Sequence, residues 1–342
     1  MDSLDNFAPF SLFALLTGTF IYAFREFYIV LLNVYKYEDG RTGYMNYGFW
    51  NKGPSTENPH ASLVEAVIDQ LDVRVLNENA RDGQVFLLEI GSGLGQSAID
   101  AVCSLGRFSQ NVLPRSLLIR LASGSNVSVT GVSINEGHVA AANKLATSTG
   151  LSSRITHRLL NATEVNTLQS APFSGAYSCE VIAEIPDDVL RACFAALHDA
   201  LPPGAEFSYA DIVSTENSPT TRAKSSQLSD PSQELFARLV RLIAPRIVRM
   251  MFGDNWRPVS RFNSLLAEAG FEVMSTKSIG DRVFVPTWDY ARERMQKRPN
   301  LGVEGLFTQR TIRFITWACL YGLAAVWEDG KIDYVLVKAR RI

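Results

Sequence analysis

A chain of 342 residues exceeds one average domain and falls short of two large ones, and with 46% of its residues hydrophobic it can bury a full core. Its 33 basic and 35 acidic residues leave a formal charge of −2, a balance that argues against a polyanionic partner such as nucleic acid. The four cysteines (Cys103, Cys179, Cys193, Cys319) show no CxxC spacing and the four histidines (His60, His138, His157, His198) never fall at i, i+4. No metal site is therefore expected, and a reducing, cytoplasmic setting fits.

The chain opens on an apolar leader. Asn6 to Phe24 carries no charge, just reaching the length of a membrane-spanning helix, and after Arg25-Glu26 the apolar character resumes through Tyr35. No basic stretch precedes it and no small-residue cleavage site follows, so a cleaved signal peptide is not expected. Pro9, Gly18 and two threonines interrupt it. Two readings stay open. The preferred one packs N-terminal helices on the body or on a second subunit, giving a homo-oligomer; the other makes the leader an anchor at a membrane surface. Lys36 to Gly53 then reads as a loop dense in aromatics, with Tyr37, Tyr44, Tyr47, Phe49 and Trp50. His60 to Leu76 reads as one helix burying Leu63, Val67 and Leu71, which closes an N-terminal segment over 1–76.

From 77 to 342 the pattern is that of one α/β domain. Strands are expected at Val85–Ile90, Val127–Val132, Ile155–Leu160, Phe173–Cys179, Glu206–Ile212, Phe271–Lys277 and Lys331–Ala339. Helices are expected from about Gln96, over Asn135–Ser148 and over Asp187–Ala200. Short apolar runs alternating with helical periods imply βαβ units, hence a Rossmann-like, seven-stranded, mostly parallel sheet with helices on both faces. Such a sheet binds ligands beyond the carboxyl ends of its strands. Leu105 to Ser125 lengthens one helix-to-strand return. Helical cap insertions are expected at about 214–257, where Arg238, Arg241, Arg246 and Arg249 lie around Pro245, and at about 286–327.

Glu89-Ile-Gly-Ser-Gly-Leu-Gly95 places an acid at a strand end, then glycines that let a backbone approach a ligand, then a helix with free N–H groups. Its spacing is not the Gly-x-Gly-x-x-Gly of dinucleotide folds. Leu88 to Gly95 resembles the first motif of class I S-adenosylmethionine-dependent methyltransferases. Gly131-Val-Ser-Ile-Asn-Glu-Gly-His138 is similar to the second-strand motif of the sterol C-methyltransferase, cyclopropane synthase and tocopherol methyltransferase subgroup, which typically reads Gly-Ile-Thr-Ile-Asn-Glu-x-Gln. Asn161-Ala162, Gly175-Ala-Tyr-Ser-Cys-Glu-Val181, Leu201-Pro-Pro-Gly204 and Ala269-Gly-Phe271 resemble later segments of the same subgroup.

The resemblance covers residues 84–212 well and 258–277 adequately. It implies S-adenosylmethionine as cofactor, held by Glu89, Gly91, Ser92, Gly93, Gly95, Ser133, Asn135, His138, Asn161 and Ala162. Glu89 would meet the amino group and the loop amides the carboxylate. Ser133 stands where most class I enzymes carry an acid and matches the subgroup's Thr; His138 replaces its Gln, and Glu184 replaces its His.

Methyl transfer asks a protein to align the acceptor and shed water. An alkene acceptor becomes a cation, which aromatic faces and a carboxylate stabilise and a base then deprotonates. Tyr44 to Trp50 resembles an aromatic segment that closes over the cofactor in small-molecule methyltransferases. Tyr47, Glu180 and Glu184 are thus the expected catalytic residues. Tyr44, Trp50, Arg246 and Arg249 are the expected substrate contacts, the arginines facing an anionic group such as a prenyl diphosphate. The expected function is C-methylation of an apolar, isoprenoid or sterol-like small molecule. The alternatives are O- or N-methylation of a hydrophobic specialised metabolite, and cyclisation with a structural cofactor.

Overall fold

The computed structural model describes residues 46–53, 56, 58–105, 126–168, 173–215, 257–297 and 319–342. The expectations placed on the apolar leader, Tyr44, 106–125 and Arg238, Arg241, Arg246 and Arg249 fall outside these residues.

Helix α1 (Pro59–Ile68) begins where Asn58 accepts the N–H of Ala61, with Pro59 in the first turn, and it buries Leu63, Val64, Val67 and Ile68. The helix expected to run on to Leu76 is in fact broken. Asp72 donates its N–H to Glu206 Oε2 at 2.7 Å and its own carboxylate accepts the N–H of Arg74, starting the short α2 (Val73–Glu78). Glu206 is fully buried and also meets Lys338 and Arg340 at 2.9 and 3.0 Å. A contact 134 residues away in sequence thus overrides the local period.

Strand β1 (Val85–Ile90) leads through the glycine loop into α3 (Gln96–Leu105). Then come β2 (Val127–Ser133), α4 (Glu136–Ser148), β3 (Ile155–Leu159), β4 (Gly175–Cys179), α5 (Asp187–Ala200) and β5 (Glu206–Ser214). The chain ends with α6 (Val259–Glu268), β6 (Phe271–Ser278), α7 (Phe284–Lys297), α8 (residues 319–328) and β7 (Ile332–Arg341). Strand order is β3-β2-β1-β4-β5-β7-β6, parallel except for β7, which runs antiparallel to both neighbours.

Helices cover both faces, as the near-continuous burial of β1, β4 and β5 requires of a parallel sheet. On one face α1, α3, α7 and α8 pack over Val85, Leu87, Tyr177 and Tyr334. On the other, α5 and α6 pack over Leu88, Ile90, Ala176 and Phe207. The strand order reverses between β1 and β4, so the crevice for a ligand opens beyond their carboxyl ends. Glu89 and Glu180 flank that crevice. No helix among the described residues is long and apolar enough to cross a membrane, and no cluster of metal-ligating side chains is found among them.

Candidate active site

The turn after β1 folds back on the sheet, with the N–H groups of Gly91 and Ser92 both donating to Val132 O at 3.0 Å. Gly91 has φ +77, and a β-carbon there would stand 2.2 Å from Val181 Cγ2. The loop after β1 and the loop after β4 therefore press on one another, and only glycine fits between them. Gly93 and Gly95 also have positive φ, at +46 and +85. Glu89 is 2% exposed; its Oε1 accepts from the Ser97 hydroxyl on α3, while Oε2 has no hydrogen-bond partner among the described residues. Burial pushes its pKa up to about 7, the Ser97 and Tyr177 hydroxyls that face it pull down, and Asp100 of α3 adds to the rise. Ser92 Oγ is likewise buried and unpartnered.

The residues present suit a cofactor of the expected kind. An unpaired buried carboxylate oxygen suits an ammonium group, an unpaired hydroxyl suits a carboxylate or ribose, and the glycines open the backbone between them. The residues fit.

Beyond β2 and β3 the polar residues first build their own turns. Ser133 Oγ accepts the N–H of Asn135, and Asn135 Oδ1 caps α4 by accepting the N–H of His138. Asn161 caps a 3-10 turn (Ala162–Thr167) by accepting from Thr163. Burial lowers the pKa of the partly covered His138 imidazole. Between these turns Ile134 stands 78% exposed, as does Leu159 at 55%, the strand residue paired with Ser133. An apolar side chain presented to solvent at the ligand edge offers a flat face to a ring. Ile134 is not among the expected site residues; its mark in the sequence is an apolar side chain between Ser133 and Asn135.

At the end of β4 stands Glu180, the residue that follows the strand. It holds φ +57, a left-handed conformation that costs a non-glycine residue about 1 kcal/mol and persists only where surroundings impose it. The surroundings are explicit. Glu180 Oε1 accepts the backbone N–H of Tyr47 at 2.7 Å and the hydroxyl of Tyr334 on β7 at 2.6 Å. Burial raises the carboxyl's pKa to about 8, the Tyr334 and Tyr47 donors counteract it, and Asp211 and Glu184 add to the rise. Asp211 on β5, 3% exposed, accepts the N–H groups of Ala183 and Ile212 at 2.9 and 2.8 Å, and burial raises its pKa to about 7. It anchors the 3-10 turn Ile182–Glu184, whose last residue, Glu184, faces solvent. Neither Asp211 nor Tyr334 stands in a recognised motif, and nothing local in the sequence marks them.

The aromatic segment is tied down at several points. His60 Nδ1 lies 2.6 Å from Asn46 O, Phe49 donates its N–H to Pro59 O, and Trp50 donates its N–H to Arg282 O. Thr287 of α7 donates its hydroxyl to Tyr47 O at 2.9 Å and accepts the Trp50 indole N–H at 3.0 Å. Trp50 is 5% exposed, with its ring 5.0 Å from that of Tyr290. Its indole thus faces α7, while Tyr47 is half-buried against the core beside Glu180.

No family profile matches the chain. It is 24% identical over 304 residues to the 27-O-demethylrifamycin SV methyltransferase of Amycolatopsis mediterranei (strain S699), covering 87% of this chain and 89% of that protein. Among solved structures it is similar to the cyclopropane synthase MmaA2 from Mycobacterium tuberculosis, with TM-score 0.60, 14% identity and coverage of 87% and 90% of the two chains. It is also similar to the cyclase SpnF, with TM-score 0.57, 17% identity and coverage of 91% and 92%. The fold is that of the class I S-adenosylmethionine-dependent methyltransferases.

Proposed function

We propose that this chain is an enzyme that transfers a methyl group from S-adenosylmethionine to an apolar small-molecule acceptor, with Glu180 as the carboxylate beside the acceptor. The observation that carries the reading is the placement of a buried carboxyl, Glu89, and a part-buried one, Glu180, at the carboxyl ends of the neighbouring strands β1 and β4, each held by a hydroxyl donor. The cofactor, when bound, supplies an electrophilic methyl group on a sulfonium. Glu89, Ser92 and the loop amides hold it, and Ile134 covers its ring end. Asn135, His138, Asn161 and Ala162 border that end. Tyr47 and Glu180 close the acceptor side and keep water out.

For an alkene acceptor the bound cofactor would supply its methyl group to the π pair and leave a positive charge on the acceptor. That charge would lie against the Tyr47 ring and Glu180, and Glu180 would take up the proton that restores a double bond. An isoprenoid or sterol-like acceptor suits this apolar surrounding. The arginines expected to meet a prenyl diphosphate lie outside the described residues. Transfer to a hydroxyl is the second reading. It is favoured by the relative from Amycolatopsis, whose name describes an O-methylation; Glu180 then takes the hydroxyl proton as the C–O bond forms. The cyclase reading rests on the likeness to SpnF and leaves the methyl group in place.

Mass spectrometry with methyl-labelled cofactor against sterols, prenyl diphosphates and phenolic metabolites separates the three. Label on carbon supports the first reading and label on oxygen the second. Conversion without label moves the assignment to cyclisation.

A further inference from the structure

His157 belongs to no recognised motif, yet it lies beneath the cofactor loop. Pairing across the sheet sets Tyr177, Glu89, Gly131 and His157 in one row on four neighbouring strands. Aligned residues of parallel strands point to one face, so the carboxyl and the imidazole flank a position with no side chain. The imidazole leans into that gap. A β-carbon at Gly131 would lie 2.5 Å from His157 Nδ1 and 2.6 Å from Ser92 Cβ, and one at Gly95 would lie 3.1 Å from His157 Nε2. The backbone of His157 is held rigidly, its N–H donating to Asn143 Oδ1 and its carbonyl accepting from Asn143 Nδ2.

The ring is 2% exposed, and neither of its nitrogens has a partner among the described residues. His157 and Ser92 therefore crowd Gly131 while Glu89 stands beside it in the row, and His157, Ser92 Oγ and Glu89 Oε2 have no hydrogen-bond partner among the described residues. Native structures rarely leave such groups unpaired, and a water with two to four polar neighbours is the usual resolution. The backbones of Glu89 and His157 stand two strands apart, roughly 10 Å, a distance that two side chains and one water span.

We propose that His157 is a positioning residue for Glu89. Its neutral imidazole and the Ser92 hydroxyl share a buried water with Glu89 Oε2, and this keeps the carboxylate charged to receive the cofactor's ammonium group. The inference rests on the reading that the glycine loop holds S-adenosylmethionine. Burial holds the His157 pKa down at about 4, so the ring is neutral wherever Glu89 titrates. The other titratable groups around the row are Tyr177 and Cys179 on β4, Asp100 on α3, and His138 one turn before Ala142 on α4.

The test measures S-adenosylhomocysteine affinity by calorimetry from pH 5.5 to 9 for the wild type, His157→Phe and His157→Gln. The wild type is expected to bind less tightly as pH falls through the titration of Glu89. His157→Phe fills the same space without a nitrogen. Its limb is expected about one pH unit higher, with affinity near pH 7 up to about tenfold weaker and affinity at pH 9 within about threefold of wild type. His157→Gln, which keeps a neutral hydrogen-bonding group, is expected to restore the wild-type limb. A His157→Phe limb that does not move overturns the proposal, as does an equal loss at every pH, which marks mere packing. If His157→Phe does not fold, a His157→Gln limb displaced from wild type by a unit or more overturns it, and an unchanged limb supports it. Absence of binding by the wild type at every pH overturns instead the cofactor reading on which the proposal stands.

Discussion

From β1 to β3 the ligand edge of the sheet is made largely of backbone. The glycines and the side-chain-capped turns at Ser133, Asn135 and Asn161 come from short stretches of contiguous chain. From β4 to β7 the edge is made of buried side chains drawn from far apart. Glu180 is held by residues 133 and 154 positions away, and Asp211 reaches back 28 positions to Ala183. The first arrangement suits a ligand whose polar groups are always the same, because backbone geometry offers little variation. The second suits an acceptor side, where carboxyls of raised pKa can each be tuned by one neighbour.

Removing Glu89, the buried carboxyl at the end of β1, has the largest expected effect. Glu89→Ala should weaken S-adenosylhomocysteine binding at least about 100-fold, because the ammonium loses its buried partner. Unchanged affinity by calorimetry would refute the loop assignment. On the other side Glu180→Gln should leave cofactor affinity within about threefold while lowering turnover by about 100-fold. Its wild-type carboxyl has a pKa of about 8, so as a base it works better as pH rises. The rising limb of kcat/KM in the wild type should be absent from the variant; parallel losses in binding and turnover would remove the division between the two sides.

Smaller effects probe how each side is packed. Gly91→Ala combines a positive φ with a collision against Val181 and should cost about 2 to 3 kcal/mol in stability, read from the urea unfolding midpoint. Gly53→Ala has φ +59 but open space around it, and should cost only about 1 kcal/mol. Equal costs would mean that the two loops do not press together. Stability also depends on pH. Glu89 and Asp211 at about 7 and Glu180 at about 8 all exceed the ordinary carboxylate value. Each favours the folded state most below its unfolded pKa, and that contribution is lost as pH rises through the folded value. The Tm of the ligand-free protein should therefore fall by roughly 5 °C between pH 5 and pH 8.5, and Asp211→Asn should flatten the slope. A Tm that rises over this range would contradict the burial of these carboxyls in charge-poor surroundings.

All seven strands were legible in the sequence to within two residues; β1, β4, β5 and β7 are apolar runs, while the more polar β3 and β6 follow the glycine turns at Gly150 and Gly270. The glycine loop was legible for a related reason. Close backbone approach demands glycine, and glycine is visible one residue at a time. The helix over 60–76 was misread because its break at Asp72 depends on Glu206, which no local window contains. Glu180 was visible as the acid ending a motif, but its left-handed backbone and its bond to the aromatic segment were not. Trp50, expected against the acceptor, turns its indole to Thr287 and Tyr290, a contact set by how α7 packs.

The sequence by itself determined the α/β alternation and the position of the cofactor loop, since hydrophobic period and glycine spacing are local properties that any window of the chain carries. Only the tertiary structure decided which polar residues share a neighbourhood: Tyr334 with Glu180, Asp211 with the turn after β4, and His157 with Glu89 across Gly131. The reason is that sheet register and strand order bring together residues tens to hundreds of positions apart, and it is burial in that company, rather than residue type, that moves a carboxyl or an imidazole away from its ordinary chemistry.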